Sequence, residues 1–402
     1  MTYHEASLLQ TPCYILNKDR LDRNIELMKQ SFEKHWNNLI IGYSFKTNSL
    51  PWLLYYLMEK NIFAEVVSPF EYKLAKNLGY SENNIILNGP YKNQNHIVSI
   101  LDGGGILNID TQKEVDFICN IKDKKNWKVG LRVNFDLEKA CPSETLMGDE
   151  PGRFGLNLEN GDLASAIYQL QSAGIKISGL HMHNNTKTKS LRVFRTLTQK
   201  ACHIAKKFEL QLEYIDIGGG FFGDKPESPT YEMYASTIAE ILKKYFKPEH
   251  TALIIEPGTA MIASSFSYLC KAFDIKKHKN KNLIFTDGSF VHTDFQMNQR
   301  KYSYELLSTK ETNKSRYDQV VTGFTCMEKD LFLEISSGEY EVNINDYLLL
   351  QNIGAYTLNF TPLFIEMPPA VYVNSKGAFH LVREKWDCQE YLIKNYYKMS
   401  IT

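Results

Sequence analysis

The chain has 402 residues, with 46 basic and 46 acidic side chains and a formal net charge of zero. A chain without net charge has no bulk electrostatic attraction to nucleic acid or to an anionic membrane, and we expect neither as a partner. The 7 cysteines are scattered without a CxxC pair. This spacing argues against a disulfide framework and against a zinc site, so we expect no metal.

The first ten residues include His4 and Glu5 and lack the apolar centre of a signal peptide. No uninterrupted apolar run is long enough to span a bilayer. We therefore expect a cytoplasmic protein.

The earliest strand-like segment is Cys13–Leu16, and from about residue 39 short apolar runs alternate with stretches of helical period. The eight runs predicted as strands are Leu39–Phe45, Phe63–Val67, Ile85–Asn88, Ile106–Ile109, Val129–Asn134, Ile175–Met182, Tyr214–Ile217 and Leu253–Glu256. Ser68-Pro69-Phe70-Glu71 predicts a helix start with a capping serine, a proline at the first helical position and a capping-box glutamate. Eight βα repeats predict a (β/α)8 barrel.

The alternation of strand-like and helical segments stops after about residue 262. Turn signals such as Asp287-Gly288 separate the strand-like segments that follow. These segments are Phe266–Ile275, Asn282–Phe285, Leu331–Ile335 and Tyr347–Asn352. We expect an α/β chain in which residues 20–262 form the barrel. Residues 1–19 and 263–402 are expected to form a mostly β, sandwich-like domain.

Chemically useful residues lie at the ends of the predicted barrel strands or just after them, and a barrel would bring them to one rim. They are Lys46, Glu65, Ser68, Gly89, Asp110, Arg132, Asn134, His181, His183, Gly218, Gly219, Gly220 and Glu256. Lys46 ends a strand expected to be buried, which suits a lysine that bonds covalently to a carbonyl. A surface lysine at a strand end is the alternative interpretation.

Two further motifs have both a functional and a structural interpretation. The three glycines after Ile217 favour a phosphate-binding loop, because their backbone N–H groups can approach an anion closely; a tight βα turn is the alternative. Glu256 follows an apolar run, and a buried carboxylate needs a cationic partner or a proton. A pyridinium N–H would serve, and so would a barrel arginine.

In chain order these segments resemble the fold type III pyridoxal phosphate (PLP) enzymes. This family includes diaminopimelate, ornithine and arginine decarboxylases, with alanine racemase as a distant relative. The resembling segments are Tyr43–Asn48 (the lysine motif), Gly179–His183 (GLHxH), Asp216–Gly220 (DIGGG), Glu256–Gly258 (EPGR), Gly323–Asp330 (GPxCxxxD) and Gly354–Tyr356 (GAY). The resemblance covers almost the whole chain and implies an alanine-racemase-like barrel with a β domain.

The resemblance also implies roles for individual residues. Lys46 would hold PLP covalently and move protons, and His183 would stack on its ring. Glu256 would pair with the pyridine nitrogen, which favours decarboxylation over racemisation. The phosphate would be held by Gly218, Gly219, Gly220, Tyr356 and Thr186.

The family resemblance also implies which residues contact the substrate and how two subunits assemble. Cys326 would protonate Cα from a partner subunit, because similar enzymes build their sites across a homodimer interface. Substrate contacts are expected from Arg153, Met327, Asp330 and Phe364. Specificity would depend on the loops Cys141–Asp149, Phe290–Arg300 and Phe360–Glu366.

The sequence departs from the family pattern at two informative positions. Thr259 replaces the EPGR arginine, so one charged phosphate contact is absent. Met327 stands after Cys326, where diaminopimelate and ornithine decarboxylases usually carry an acid. We therefore predict a decarboxylase of a basic or conjugated amino acid, of the kind used in siderophore or antibiotic biosynthesis. A decarboxylase of free diaminopimelate, ornithine, lysine or arginine and an inactive regulatory homologue are the alternatives.

Overall fold

The computed structural model describes residues 1–122, 127–148, 150, 152–223, 228–294, 302–310 and 313–395. The chain folds into two compact units. One unit, called here the barrel unit, contains residues 23–261. The other, the β unit, contains residues 1–22 and 262–402. Among the described residues, no helix has the length and apolarity needed to cross a membrane.

The barrel unit contains a closed parallel barrel, as predicted. Its strands one to eight are Leu39–Ser44, Phe63–Val66, Ile85–Leu87, Ile106–Ile109, Lys128–Asn134, Ile177–His181, Tyr214–Asp216 and Ala252–Ile255. Each strand pairs in parallel with the next, and strand eight pairs with strand one, which closes the barrel. A short strand, Leu156–Asn157, adds to the end of strand five. The strands are buried on both sides, which explains why they read as continuous apolar runs.

Helices precede, connect and follow the barrel strands. They are Lys18–Glu33, Pro51–Glu59, Pro69–Asn77, Gln94–Asp102, Gln112–Cys119, Leu137–Ala140, Asp162–Ser172, Leu191–Lys207, Tyr231–Leu242 and Thr259–Ile262, with 3-10 turns at Phe45–Thr47 and Glu82–Asn84.

The helix start at Ser68 is confirmed, but the expected capping box is wrong. The Ser68 hydroxyl accepts the Glu71 N–H, as a capping serine does. The Glu71 carboxylate accepts the N–H of Val67 at 2.7 Å instead of the N–H of Ser68. Val67 directly follows strand two, and its N–H needs an acceptor outside the sheet. The Glu71 side chain supplies that acceptor.

The β unit contains strands Cys13–Asn17, Phe266–His278, Lys281–Thr286, Tyr304–Leu307, Asp318–Thr322, Leu331–Ile335, Tyr347–Gln351, Ala370–Ser375 and Ala378–Arg383. Short helices lie at Tyr3–Ser7, Phe290–Thr293 and Cys388–Leu392, with 3-10 turns at Ala263–Ser265 and Leu358–Phe360. The long strand Phe266–His278 pairs with Cys13–Asn17 through its first half and with Lys281–Thr286 through its second. The early segment Cys13–Asn17 therefore belongs to this sheet.

Candidate active site

Lys46 lies in the 3-10 turn Phe45–Thr47, directly after strand one. Its Nζ donates to Ser44 Oγ at 2.7 Å and to Glu65 Oε2 at 2.9 Å. Glu65 is buried, whereas 40% of the Lys46 side chain remains exposed. The Ser44 hydroxyl also donates to Glu65. The amine is thus oriented by a buried carboxylate but still accessible for chemistry.

Glu256 lies at the end of strand eight and is buried. Its Oε1 accepts a hydrogen bond from Asn88 Nδ2 at 2.5 Å, and its Oε2 lies 3.3 Å from His181 Nε2. Burial alone would raise the pKa of Glu256, but His181, a hydrogen bond from Asp216 and the charge of Lys46 hold it below its usual value. Glu256 is therefore an anion in an apolar barrel.

Asp216 and His181 complete this buried cluster. Burial, and then the charge of Glu256, raise the pKa of Asp216 well above its usual value, so Asp216 carries a proton. Among the described residues His181 Nδ1 has no hydrogen-bond partner. Ligand atoms of the three residues lie within 4.8 Å of one another, a spacing that a metal ion could also use.

The glycines after strand seven each have a distinct reason to be glycine. Gly218 has a φ of 74°, and a Cβ there would lie 2.4 Å from His183 Cβ. A Cβ on Gly219 would lie 2.3 Å from the carbonyl oxygen of Glu256. Gly220 has a φ of 91° and open space around it. Within the described part of the chain its N–H has no acceptor, so it is available to an anion.

His183 packs against this loop, and its Nδ1 accepts the Gly219 N–H at 3.3 Å. Burial and the nearby charge of Arg132 lower the pKa of His183 to about 3. Its ring lies nearly parallel to that of His181, with centroids 6.2 Å apart. A neutral imidazole of this kind suits stacking against a flat aromatic ligand.

Arg132 and Asp110 form a buried ion pair at 3.0 Å on the same rim. The Phe154 ring lies 4.5 Å from the Arg132 guanidinium and 4.4 Å from that of Arg153. Arg153 itself is exposed. Thr186 lies in the loop after strand six, where its Oγ1 accepts the N–H of Lys189.

The remaining sequence-predicted site residues lie in the β unit. Cys326 is exposed, as are Met327 and Phe364, at 37% and 38% of their surface. Tyr356 adopts a left-handed backbone with a φ of 56°, which is unusual for a bulky residue. In the expected specificity loops, Asp149 and residues 295–300 lie outside the described residues.

Asp330, which the resemblance implies as a substrate contact, lies on the turn that carries Cys326, and the substrate contact stays a prediction. It is buried, and its carboxylate accepts hydrogen bonds from the Ser289 hydroxyl, the Phe290 N–H and both the N–H and hydroxyl of Thr325. A Cβ on Gly323 would collide with it. These contacts show a carboxylate that organises the turn carrying Cys326.

Sequence reasoning missed two amides inside the barrel, Asn88 and Asn108. Asn88 Nδ2 donates to Glu65 Oε1 at 3.0 Å and to Glu256 Oε1, so one amide is hydrogen-bonded to both carboxylates. Asn108 Nδ2 donates to Asn88 Oδ1 and to Asp216 Oδ2. An asparagine within or directly after a continuous apolar strand is the signal that could have found them, because a buried amide needs partners.

Comparisons with known proteins bear on this site. A family model described as pyridoxal-dependent decarboxylase, pyridoxal binding domain, matches residues 18–263. Diaminopimelate decarboxylase of Aquifex aeolicus is 23% identical over 388 residues, which cover 94% of this chain and 90% of the relative. The L-glutamyl-[BtrI acyl-carrier protein] decarboxylase of Niallia circulans is 23% identical over 404 residues, covering 94% of this chain and 91% of the relative.

Solved structures share the fold. Diaminopimelate decarboxylase from M. jannaschii, in complex with L-lysine, has a TM-score of 0.85 at 21% identity. The match covers 98% of this chain and 94% of the M. jannaschii chain. The Paramecium bursaria Chlorella virus arginine decarboxylase has a TM-score of 0.76 at 19% identity. The match covers 92% of this chain and 98% of the viral chain.

Proposed function

The chain belongs to the pyridoxal-dependent decarboxylases, and we propose that it removes the α-carboxylate of a basic or conjugated amino acid. Its cofactor is pyridoxal phosphate. When bound, PLP supplies an electron sink for the electron pair left behind as carbon dioxide departs. The chain's own residues then have to hold the cofactor, choose the bond that breaks and place the protons.

Lys46 is proposed as the residue that binds PLP covalently. Its partly exposed amine, held by Ser44 and Glu65, supports this role. The hydrogen bond to Glu65 can orient the Lys46 amine when a carbonyl arrives. Removal of either partner would leave the amine poorly placed.

Glu256 is proposed to face the ring nitrogen, because it is a buried anion whose hydrogen bonds leave it able to accept an N–H. A carboxylate there keeps a pyridine nitrogen protonated. His183 is proposed to lie against the ring face, which its neutral state supports.

The phosphate is proposed to lie at the loop Gly218–Gly220. The positive φ of Gly220, its available N–H and the open space beside it fit an anion. The family resemblance adds Thr186 and Tyr356. Because Thr259 offers no charge where the family has arginine, backbone donors carry more of the binding here.

Cys326 is proposed to give the proton to Cα, in a homodimer in which residues 1–19 and 263–402 complete a partner's site. Its exposure on a turn held by Asp330 supports a role in contacts with another molecule. Arg153, Met327 and Phe364 are proposed to contact substrate, and all three side chains are accessible.

The preferred substrate is a conjugated amino acid, such as an ornithine- or diaminopropionate-like group in a siderophore-type pathway. The apolar Met327 supports this proposal because it cannot pair with a distal ammonium group. The similarity to a decarboxylase of a carrier-bound glutamyl group fits it too. Free diaminopimelate is the second candidate, favoured by the number of diaminopimelate decarboxylases among the relatives and by the nearby Glu328.

One observation carries the proposal: a chain of hydrogen bonds through Glu65 and Asn88 links Lys46 to Glu256 at one end of the barrel. The test is carbon dioxide release by the PLP-loaded protein from free basic amino acids and from their amide and carrier-bound conjugates. We expect release from a conjugate, and none with Lys46→Ala. Release from free diaminopimelate alone would favour the second candidate, and no release from any substrate would favour the regulatory homologue.

A further inference from the structure

We propose that Asn88 is a positioning residue that holds Glu65 and Glu256 in one fixed arrangement, and that Asn108 and Tyr214 set the direction of its amide. The inference rests on the roles proposed above for Lys46 and Glu256. Asn88 Nδ2 donates to Glu65 Oε1 at 3.0 Å and to Glu256 Oε1 at 2.5 Å. One amide thus connects the carboxylate beside the lysine to the carboxylate proposed to face the ring nitrogen.

The direction of every hydrogen bond in this chain of residues is determined. Carboxylates accept, so the NH2 end of Asn88 must face Glu65 and Glu256. Its Oδ1 must then accept, and Asn108 Nδ2 donates to it at 2.9 Å. Asn108 Oδ1 in turn accepts the Tyr214 hydroxyl at 2.9 Å. Orientation therefore passes from one hydroxyl through two amides to two carboxylates.

The barrel interior leaves room for Tyr214 in particular. A Cβ on Gly130, in strand five, would lie 2.1 Å from the Tyr214 hydroxyl, and one on Gly179, in strand six, would lie 2.1 Å from its ring. Burial raises the pKa of Tyr214 well above its usual value, so it remains a donor. A buried hydroxyl is costly without a partner, and Asn108 is the partner that this space allows it to reach.

Loss of the Asn88 amide would remove a donor from two buried acidic residues at once. The charged and titratable groups around Glu256 are Lys46, Glu65, His181, His183, Tyr214 and Asp216. A hydrogen bond to a charged group favours the ionised form by an amount equal to roughly one unit of pKa. The protonation of Glu256, and with it the state of a bound pyridine ring, should shift upward in pH by about one unit.

The experiment titrates the absorption band of the bound cofactor against pH in the PLP-loaded protein, and measures the cofactor Kd. The variants are Asn88→Leu and, as a matched control, Asn24→Leu. Asn24 is an equally buried amide that donates to the backbone carbonyl of Met261 at 2.8 Å. We expect the acid-side transition to rise by about one pH unit in Asn88→Leu and to stay in place in Asn24→Leu. A wild-type transition in Asn88→Leu overturns the inference.

Tyr214→Phe provides an independent test if Asn88→Leu does not fold. It removes one oxygen and keeps the ring that fills the space beside Gly130 and Gly179. We expect a smaller upward shift, because Asn108 loses the Tyr214 hydroxyl but keeps its hydrogen bonds to Asn88 and Asp216. An unshifted transition in Tyr214→Phe contradicts the relay. A wild-type protein that binds no PLP would refute the proposed function, and the inference with it, so the two failures are distinguishable.

Discussion

Asp216 and Glu256 are buried side by side in the barrel with opposite protonation. The pKa of Asp216 is raised well above its usual value by burial and by the charge of Glu256, whereas the pKa of Glu256 is held low, despite burial, by His181, by Asp216 and by Lys46. The pair therefore shares one proton, which resides on Asp216. A single negative charge is left on Glu256, where a protonated ring nitrogen would need it.

Asp216→Asn should be tolerated far better than Glu256→Gln. An asparagine is neutral and donates a hydrogen bond, as the protonated acid does, but its NH2 group must face either the Gly218 N–H or Asn108 Nδ2. We therefore expect kcat and the cofactor Kd to change, but by no more than about tenfold. Glu256→Gln removes the charge opposite the ring and should lower kcat by about a hundredfold or more. Steady-state kinetics and cofactor titration measure both. Equal damage from the two variants would show that Asp216 is ionised.

Gly219→Ala should destabilise the cofactor-free protein more than Gly220→Ala. A methyl group at Gly219 would lie 2.3 Å from the backbone oxygen of Glu256, which cannot move without moving the carboxylate. The expected cost is about 1–3 kcal/mol of stability. Gly220→Ala meets no atom within 4 Å and bears only the strain of a left-handed backbone, about 1–2 kcal/mol. Thermal unfolding of the cofactor-free protein compares the two variants, and a Gly219→Ala variant that is as stable as Gly220→Ala would contradict the packing argument.

The stability of the protein should fall as pH decreases from about 6.5 towards 3, and His292 should account for part of this. Burial, followed by the charges of Lys385 and Arg383, lowers the pKa of His292 to about 3. Below its unfolded pKa of about 6.5 the unfolded chain binds a proton that the folded protein does not. The slope is about 1.4 kcal/mol per pH unit for each such proton.

His292→Gln removes this titration and keeps a partner for the Tyr268 hydroxyl, which lies 2.6 Å from the His292 ring. Denaturant unfolding across the pH range should show a shallower loss of stability in this variant. His250→Gln, at an exposed position, provides the matched control. An identical slope in His292→Gln and wild type would mean that His292 titrates normally.

Asp330→Asn should destabilise the turn that carries Cys326. The carboxylate accepts hydrogen bonds from Ser289, Phe290 and Thr325, and an amide would point N–H groups at N–H donors. We expect a cost of about 2 kcal/mol or more in the free energy of unfolding. Thr325→Val removes only one hydroxyl donor and should cost less. A stable Asp330→Asn variant with altered substrate KM would instead favour direct substrate contact.

Much of the fold was predictable from the sequence because the barrel strands are buried on both faces and read as apolar runs. In the second half, the four segments predicted as strands are strands. Sequence reasoning missed four others, Tyr304–Leu307, Asp318–Thr322, Ala370–Ser375 and Ala378–Arg383. Lys46 and Glu256 could be placed because each ends such a run, and barrel geometry puts strand ends on one rim.

The supporting polar residues could not be placed in the same way. Asn88 and Glu256 are separated by 168 positions, and Asn108 and Asp216 by 108, so no local pattern relates them. A single buried amide has no periodicity, and its partners become known only when the barrel closes. The same holds for Asp330, whose flanking motif predicts a site residue but not the direction of its carboxylate.

The most direct test of the central claim is reduction of the PLP-loaded protein with borohydride, followed by peptide mass spectrometry. We expect the cofactor mass to be fixed on Lys46 and the visible absorption band to bleach. Lys46→Arg, which keeps the charge but not the amine, should give no labelled peptide. A label on another lysine, or an unlabelled protein that still releases carbon dioxide, would contradict the role proposed for Lys46.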